Sequence, residues 1–367
     1  MKIPQFMPMV GEDEYKAIKT CFDNNWITEG PQAAEFKRKL LELTGAKYGE
    51  FAPNGTLAIY LALKAAGVAE GSEVLVPNFT FIASANAVIM AGATPIFIDV
   101  DCNLQIDLEA CRSRLTENTT AIMAAHMYGT CGDMTAIKNF AKEHNLILIE
   151  DAAQALGVYW DGQHAGTFGE VGTFSFFADK TITCGEGGFI VTNNEEIATQ
   201  LVYLRNQGRI ERGTFVHPAI GYNFRITDIH AAMGLVQFGK LDWIRERKLE
   251  IYNIYKDCLG PQDRFTFFRP QEKSSFIPFR VCLMDLERRA HEVMSELKAA
   301  GIEPRTFFYP LHQQPCFEYL TKVANYQDKD FEMSNLMYDS GICLPTFLQI
   351  TKEEIEYVCN IIKKVTK

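Results

Sequence analysis

Short apolar runs alternate with helical stretches along the first half of the chain. Between residues 51 and 191 the apolar runs are EVLVP, TPIFIDV, AIMAAHMYG, LILIEDA, TFSFF and GFIVT. This alternation predicts a doubly wound α/β domain built on a mainly parallel sheet. The run LILI (146–149) is apolar at every position, which is typical of a strand that is buried on both faces.

The second half of the chain has a different pattern. A long helical stretch starts at Thr227 and extends to Gly260, and strand-like FTFFRP and FIPFRVCLM then precede the helical LERRAHEVMSELKAAG. This is the pattern of an α+β unit. We therefore predict a large α/β domain over residues 1–240, which includes an N-terminal helical segment. The long connecting helix leads from it to a smaller α+β domain over residues 241–367.

Composition excludes several classes of protein. A chain of 367 residues is long enough for a large domain and a small one. Its net charge of −10 argues against nucleic-acid or anionic-membrane partners. The ten cysteines are scattered without C-x-x-C spacing, which favours reduced thiols and no metal site. The chain starts MKIPQFMPMVGEDEYK without an apolar signal core, and no apolar run approaches about 20 residues, so we predict a cytoplasmic protein.

One lysine stands out in the stretch GTFSFFADKTITCGEGGFIV (172–191). Lys180 lies between a strand-like run and a Gly-Glu-Gly-Gly turn that leads into another strand. We expect the adjacent Phe176 and Phe177 to help exclude water, and burial favours a neutral amine over an ammonium ion. A neutral amine on a short loop is what Schiff-base chemistry requires. Most loop lysines are simply solvated, so this hypothesis needs a second chemical group.

Asp151 supplies that second group. The apolar run LILI ends in Glu150 and Asp151, and the carboxyl ends of strands are where open α/β sheets bind ligands. A carboxylate at such a position can instead cap the next helix. The functional interpretation is that Asp151 pairs with the protonated pyridine nitrogen of pyridoxal 5′-phosphate (PLP). That pairing keeps PLP an electron sink, which the cofactor needs alongside a lysine Schiff base.

A phosphate-binding turn is the third part of the pattern. Asn54, Gly55 and Thr56 precede the apolar-rich helical run LAIYLALKAAG. Backbone N–H groups at a helix N-terminus bind phosphate, and a glycine allows close approach. Asn-Gly alone is foremost a turn signal. Ser175, just before the lysine, is a further candidate hydroxyl donor. The three parts together, in this order, predict a PLP site.

Six segments in order carry a resemblance to a known family: NGTLAIYLAL (54–63), VPNFTFIASANAV (76–88), GATPIFIDVD (92–101), IEDAAQALG (149–157), TFSFFADKTITCGEGG (173–188) and GYNFRITDIHAAMG (221–234). The chain resembles the DegT/DnrJ/EryC1/StrS sugar aminotransferases, which have the aspartate-aminotransferase-like PLP fold. The likeness extends from about Trp26 into the C-terminal region. Within the family it is similar to enzymes that aminate C4 of a nucleotide-linked 4-keto-6-deoxy-hexose, as in GDP-perosamine synthesis.

The resemblance implies roles for further residues. Phe81 matches the aromatic residue that stacks on the pyridine ring, although an aromatic residue at such a position is more often core packing. Asn223 matches an asparagine that reaches the phosphate of the neighbouring subunit's cofactor, which implies a homodimer with shared active sites. The alternative for Asn223 is a local hydrogen bond within its turn.

The narrower likeness also suggests contacts with the sugar. Trp26-Ile27-Thr28 and the segment RTFFYPLH (305–312) carry it, so Trp26, Thr28, Tyr309 and His312 are candidate substrate residues. A lone histidine is usually structural, and both interpretations of His312 stay open. Glu186 in the Gly-Glu-Gly-Gly turn is a candidate for binding either backbone or substrate.

The chain also departs from the family pattern. Asp179 replaces the asparagine that usually precedes the lysine, and Cys184 replaces a common threonine. Gln154, a candidate cofactor contact, occupies a position where perosamine-type members often carry glutamate, which leaves the exact sugar open. Related dehydratases have histidine in place of the lysine. Lys180 therefore indicates a transaminase.

The resemblance implies that the enzyme moves an amino group from L-glutamate to a nucleotide-linked keto-deoxy-hexose, for cell-surface polysaccharide biosynthesis. Alternatives are a 3-keto-sugar aminotransferase and another PLP-dependent nucleotide-sugar enzyme such as a dehydratase. A non-enzymatic regulator on the same fold would need a DNA-binding module or a damaged site. The sequence has no basic helix-turn-helix stretch, and its three site motifs are intact. The nucleotide and the choice between C3 and C4 are left open.

Overall fold

The computed structural model of the chain describes residues 2–209 and 215–365. The α-helices are α1 (Glu12–Asp23), α2 (Pro31–Thr44), α3 (Gly55–Ala65), α4 (Ala83–Met90), α5 (Leu108–Arg114), α6 (Met134–Glu143), α7 (Glu195–Arg205), α8 (Asp228–Gly239), α9 (Leu241–Leu259), α10 (Ala290–Ala299), α11 (Glu318–Val323), α12 (Glu332–Ser340) and α13 (Lys352–Val365). The strands are β1 (Tyr48–Ala52), β2 (Glu73–Pro77), β3 (Thr94–Ile98), β4 (Thr119–Ala125), β5 (Ile147–Asp151), β6 (Tyr159–Trp160), β7 (Gln163–His164), β8 (Val171–Ser175), β9 (Gly188–Thr192), β10 (Phe265–Phe267), β11 (Val281–Asp285), β12 (Arg305–Thr306) and β13 (Gly341–Leu344).

A seven-stranded sheet forms the first unit of the described chain, with strand order β1-β9-β8-β5-β4-β2-β3. Strands β3, β2, β4, β5 and β8 run parallel, whereas β9 is antiparallel to both of its neighbours. The predicted mainly parallel α/β sheet is therefore confirmed. The all-apolar run becomes β5, the central strand, because helices cover both faces of the sheet. The carboxyl end of β5 lies beside those of β4 and β8, with Ala125, Asp151 and Thr173 in register.

Side-chain caps fix where several helices of this unit begin. An Asn, Asp or Thr side chain accepts a backbone N–H of the first turn in α3, α5, α6, α7 and α8, through Asn54, Asp107, Asp133, Asn194 and Thr227 respectively. Each such cap contributes about 1 kcal/mol to stability. The cap at Asn54 matters most for the site, because it starts α3 at Gly55.

The second unit is a four-stranded antiparallel sheet in the order β10-β11-β13-β12. Helices α9, α10 and α13 bury their apolar faces against it, and Tyr255, Leu297 and Ile355 are among the fully buried side chains. The long helix expected from Thr227 onwards is divided in two. Lys240 leaves helical geometry at φ −98° and ψ 0°, so α8 ends at Gly239 and α9 begins at Leu241.

Some residues on each side of the predicted domain boundary at residue 240 pack into the unit on the other side. Ile3 is fully buried in the core of the second unit and forms a β-bridge with Ile302. Ile3 therefore packs with the second unit, whereas the predicted large domain included it. Conversely, Leu311 and Phe331 pack into the core of the seven-stranded sheet. Ile3 and Leu311 are each buried in the core of the other unit, and these contacts hold the two units together.

Candidate active site

Asp151 is a buried carboxylate at the carboxyl end of β5. Its Oδ2 accepts a 2.7 Å hydrogen bond from the Ser84 hydroxyl, and its Oδ1 accepts the Ala153 N–H at 3.1 Å. The Ser84 hydroxyl lies 3.2 Å from that of Thr80, so the loop after β2 and the start of α4 hold the carboxylate from one side. These contacts fix the direction in which Asp151 presents its charge.

The adjacent Glu150 has a different role, because successive side chains of a strand point to opposite faces. Its carboxylate accepts the N–H groups of Gly166, Phe168 and Gly169 at 2.6–2.8 Å and lies 3.0 Å from Nε2 of His126. Burial opposes charge on His126, but Cys131 and Glu150 together raise its pKa to about 10. Glu150 therefore serves as an internal anchor for the loop that precedes β8.

Lys180 lies on the turn between β8 and β9, whose backbone folds back through a hydrogen bond from Lys180 N–H to the Phe177 carbonyl. Its Nζ lies 4.9 Å from the centroid of the Phe279 ring. Burial lowers the pKa of the Lys180 amine, the carboxylates of Asp179 and Asp151 act in the opposite direction, and Arg280 adds to the lowering. The structure thus brings Asp151 and Lys180 into one electrostatic environment and favours the neutral amine.

Three aromatic rings lie near the Lys180 turn in sequence or in space. Phe176 is fully buried in the core, with its ring 5.3 Å from that of Phe36, and Phe177 is 42% exposed. Their part in excluding water from Lys180 stays a prediction. Phe279, which immediately precedes Arg280 and β11 in the second unit, supplies an apolar surface that was not predicted.

The predicted phosphate turn forms where α3 meets the β8–β9 turn. A Cβ atom on Gly55 would lie 2.9 Å from Cβ of Ser175, and one on Gly188 would lie 2.4 Å from the Asn54 carbonyl oxygen. Both glycines are needed for this close approach. The first N–H groups of a helix have no partner within the helix, and the Asn54 side chain accepts that of Leu57. Gly55, Thr56 and the Ser175 hydroxyl thus form a compact set of donors.

Two further predicted cofactor residues border the same strand ends. Phe81 is 54% exposed after β2, and its ring lies 6.0 Å from that of Phe308. Phe308 in turn stacks on Tyr128, at 5.6 Å and with an angle of 7° between the rings. Gln154 accepts the Tyr128 N–H through Oε1 at 2.8 Å, which fixes its side chain. An exposed aromatic ring held in this way is suited to stacking on a flat ligand.

The candidate sugar residues are mostly accessible. Trp26 and Thr28 are exposed in the connection between α1 and α2, and Glu186 is exposed on the turn after Lys180. Tyr309 is partly exposed and packs edge-on against Tyr338 at 5.1 Å. Their contacts with a substrate stay predictions.

His312 is held mainly by structural contacts. Its backbone N–H donates to Asn78 Oδ1 at 2.8 Å, its Nδ1 lies 2.9 Å from Asn78 Nδ2, and its Nε2 lies 3.2 Å from an oxygen of Asp328. The ring also stacks on Phe331 at 4.1 Å. These contacts fasten the segment after β12 to the end of β2. They favour the structural interpretation of His312, and its contact with the sugar stays a prediction.

Asn223 lies on the surface of the chain, in a segment that forms a β-bridge with Asn206. Nearby, Phe215 and Ile220 are both 89% exposed. Exposed side chains of this size are unusual for a surface that faces only water.

Sequence reasoning missed three residues that contact the site. Ser84 lies in the segment FIASANAV, but nothing in the pattern distinguishes it from neighbouring small residues. Phe279 and Arg280 come about a hundred residues after Lys180, and only the folding of the second unit brings them to the amine.

The residues of the site fit PLP. A carboxylate held at a strand end suits the pyridine nitrogen, an amine of lowered pKa suits the aldehyde carbon, and the donors around Gly55 suit the phosphate. Among residues 2–209 and 215–365, no group of three or more His, Cys, Asp or Glu side chains is arranged to hold a metal ion. Over the same ranges, no helix combines the length and the apolar character needed to cross a membrane.

Comparison with known proteins agrees with this site. The profile of the DegT/DnrJ/EryC1/StrS aminotransferase family matches residues 8–363. The chain is 34% identical over 367 residues to GDP-perosamine synthase of Vibrio cholerae, with 98% of each chain covered. It is 36% identical over 369 residues to GDP-perosamine synthase of Escherichia coli O157:H7, with 99% of this chain and 98% of that one covered.

The fold is shared with a solved structure, the PLP-form of the putative sugar aminotransferase Spr1654 from Streptococcus pneumoniae. The TM-score is 0.91 and the sequence identity is 24%, and the match covers 100% of this chain and 99% of that chain. Fold and site together define a PLP-dependent aminotransferase, as predicted. The chain belongs to the DegT/DnrJ/EryC1/StrS aminotransferase family.

Proposed function

We propose that this aminotransferase moves an amino group from L-glutamate to C4 of a nucleotide-linked 4-keto-6-deoxy-hexose, in the synthesis of a cell-surface polysaccharide. The observation that carries the proposal is the placement of the Lys180 amine against Phe279, within the electrostatic influence of the Asp151 carboxylate that Ser84 holds at the end of β5. Identity of 34–36% to two GDP-perosamine synthases, over nearly the whole chain, supports the choice of substrate class.

Lys180 is the residue that moves protons in this mechanism. With PLP bound, the Lys180 amine would hold the aldehyde carbon, and the amine of the donor would replace it there. The freed amine then carries a proton between Cα of the donor and C4′ of the cofactor, as a general base and then a general acid. Burial lowers the pKa of the Lys180 amine, which lies against the ring of Phe279, and so favours its neutral form. The same steps in reverse deliver the amino group to the sugar carbon.

Asp151 controls the electronic state of the cofactor. PLP, when bound, supplies a ring that delocalises the electron pair left by the departing proton. Delocalisation is effective only while the pyridine nitrogen is protonated, and a nearby carboxylate favours the protonated form. The hydrogen bonds from Ser84 and Ala153 hold Asp151 in place for this task.

The other predicted cofactor residues fix the position of the ring. The N–H groups of Gly55 and Thr56 and the hydroxyl of Ser175 bind the phosphate, where the positive end of the α3 dipole adds to the attraction. Phe81 would stack on the ring, and Gln154 would be a further contact of the cofactor. Water is kept away on the side of Phe279.

A second copy of this chain completes each active site in this proposal. Asn223 is exposed in the single chain and belongs to a surface with the apolar side chains of Phe215 and Ile220. Burying that surface in a homodimer would bring Asn223 to the phosphate of the partner's cofactor. Trp26, Thr28, Glu186, Tyr309 and His312 are the candidate contacts for the nucleotide sugar.

The test is a panel of nucleotide-linked keto-sugars. The enzyme is first converted to its amine-carrying form with L-glutamate, freed of excess glutamate, and mixed with GDP-, dTDP- or UDP-linked 3-keto or 4-keto sugars. We expect a 4-keto-6-deoxy sugar to restore the absorbance of PLP-loaded enzyme and to give an amino sugar detectable by mass spectrometry. Amination of a 3-keto sugar alone, or loss of water from the sugar without amination, would support the alternatives instead.

A further inference from the structure

Asp179, which precedes the active-site lysine, and Arg280, which follows Phe279, form a buried ion pair. Nη2 of Arg280 lies 2.5 Å from Oδ2 of Asp179, and the two side chains are only 5% and 11% exposed. Asp179 belongs to the β8–β9 turn, whereas Arg280 immediately precedes β11 of the second unit. The pair therefore fastens the turn that carries Lys180 to the other half of the molecule.

One aromatic ring adds further contacts between the Lys180 turn and the second unit. The Lys180 Nζ and the Arg280 Cζ lie 4.9 and 4.8 Å from the centroid of Phe279. Two consecutive residues of the turn thus contact two consecutive residues that immediately precede β11. The guanidinium of Arg280 is attracted to the aromatic face, and the Lys180 amine lies against the same ring.

Basic and acidic side chains surround this contact in unequal numbers. Besides Lys180 and Arg280, the buried Lys248 of α9 approaches it, with its Nζ 3.5 Å from the Phe279 carbonyl oxygen. Asp179 and Asp151 are the carboxylates that act on Lys180, and Arg280 is the cation that acts on it. Asparagine at position 179 would leave Arg280 buried opposite a neutral group, which is costly for a guanidinium.

We propose that Asp179 and Arg280 are a positioning pair that holds the Lys180 turn against the second unit and sets the protonation of the Lys180 nitrogen by opposing charges. The inference rests on the proposed role of Lys180 as the PLP lysine. Removal of Asp179 takes away a charge that favours the protonated nitrogen, and removal of Arg280 takes away a charge that disfavours it. The two single changes must therefore act in opposite directions, whereas a purely structural brace would lower stability without moving the protonation.

The experiment is a pH titration of the absorbance of PLP-loaded enzyme, together with its Tm. We expect Asp179→Asn to lower the midpoint by about one pH unit and Arg280→Gln to raise it by a similar amount. The double variant should return to near the wild-type midpoint, because neither charge is left unpaired. Arg280→Lys keeps the positive charge and should also stay near the wild-type value, which keeps the test open if Arg280→Gln does not fold.

A matched control comes from another buried ion pair of the second unit. Arg264 lies 2.8 Å from Asp285, and the two side chains are 10% and 0% exposed. Arg264→Gln should lower the Tm and leave the midpoint unchanged. Midpoints that do not move in the Asp179 and Arg280 variants, or that move in the same direction, would overturn the proposal. Lys180→Ala protein that still binds PLP covalently would instead overturn the proposed function, so the two failures are distinguishable.

Discussion

The hydroxyl of Ser84 donates a 2.7 Å hydrogen bond to Oδ2 of Asp151 and is itself completely buried. Ser84 lies in the first turn of α4, and Asp151 ends β5, so the bond joins two segments that are 67 residues apart. A buried hydroxyl bound to a carboxylate restrains the carboxylate as well as satisfying itself. The residue proposed to pair with the pyridine nitrogen is therefore held by one that the sequence pattern did not single out.

Ser84→Ala should weaken catalysis without preventing PLP from binding. A hydrogen bond to a charged group contributes about 1.5–3 kcal/mol, which corresponds to roughly a tenfold or greater fall in kcat. Single-turnover rates with L-glutamate measure the effect. Thr80→Val removes the neighbouring hydroxyl and should cost less, because Thr80 contacts Ser84 and not the carboxylate. Equal losses in the two variants would contradict the proposed role.

Lys180→Ala should abolish covalent capture of PLP. Wild-type protein should show a visible absorbance band that borohydride bleaches, with the reduced adduct on the peptide that contains Lys180. Lys248→Met is the matched control, since burial lowers the pKa of Lys248 to about 7 and makes it a second buried, nearly neutral amine. That control should keep the band. A reducible adduct at Lys248 in the Lys180→Ala protein would refute the assignment.

Asp151→Asn should leave PLP bound but slow transamination on the order of 10³-fold, about 4 kcal/mol of barrier. The neutral amide no longer favours a protonated pyridine nitrogen. Glu150→Gln changes the neighbouring carboxylate, which anchors three backbone N–H groups. It should lower the Tm while leaving the rate per folded enzyme close to that of the wild type. Near-normal turnover of Asp151→Asn would rule out the pyridine role.

Mixing two inactive variants tests the shared active site. Lys180→Ala and Asn223→Ala homodimers should each be severely impaired. If Asn223 serves the partner's site, a heterodimer has one site with both changes and one site with neither. Activity should recover toward a quarter of the wild-type value after random subunit exchange. Exchange is verified by native mass spectrometry of differently tagged subunits. Exchanged heterodimers without recovery would show that Asn223 does not act across the interface.

Acid should destabilise the protein partly through His164. Its Nε2 accepts the Gly157 N–H at 2.9 Å, so the folded state requires a neutral ring, and burial lowers its pKa to about 4. The folded-state pKa lies below the unfolded value near 6.5, so this contribution is present above pH 6.5 and is lost as the pH falls toward 4. The difference is worth roughly 3 kcal/mol.

His164→Gln should flatten this dependence, because the amide oxygen of glutamine accepts the same N–H without titrating. Urea unfolding at pH 7 and pH 4.5 measures the effect. The wild type should lose more stability than the variant between the two pH values. Equal losses would show that other groups dominate the acid response.

Local patterns were enough to predict the sheet, Asp151, Lys180 and the turn at Gly55. An apolar run buried on both faces can only be an interior strand of such a sheet, and its carboxyl end then places the next polar side chain at the ligand edge. A glycine between a capping asparagine and an apolar helix likewise predicts where α3 begins. These features depend on residues adjacent in the chain, so the linear pattern contains them.

Contacts between segments far apart in the chain could not be predicted from the linear pattern. Ser84 on Asp151, Phe279 under Lys180 and the Asp179–Arg280 pair each require two elements to be docked, and docking depends on the packing of whole cores. The exchange of Ile3 and Leu311 between the two units has the same origin. The chain's own pattern thus predicted which groups carry the chemistry. The folded core established which side chains hold, shield and charge-balance them, because those interactions depend on distance in space and not on separation along the sequence.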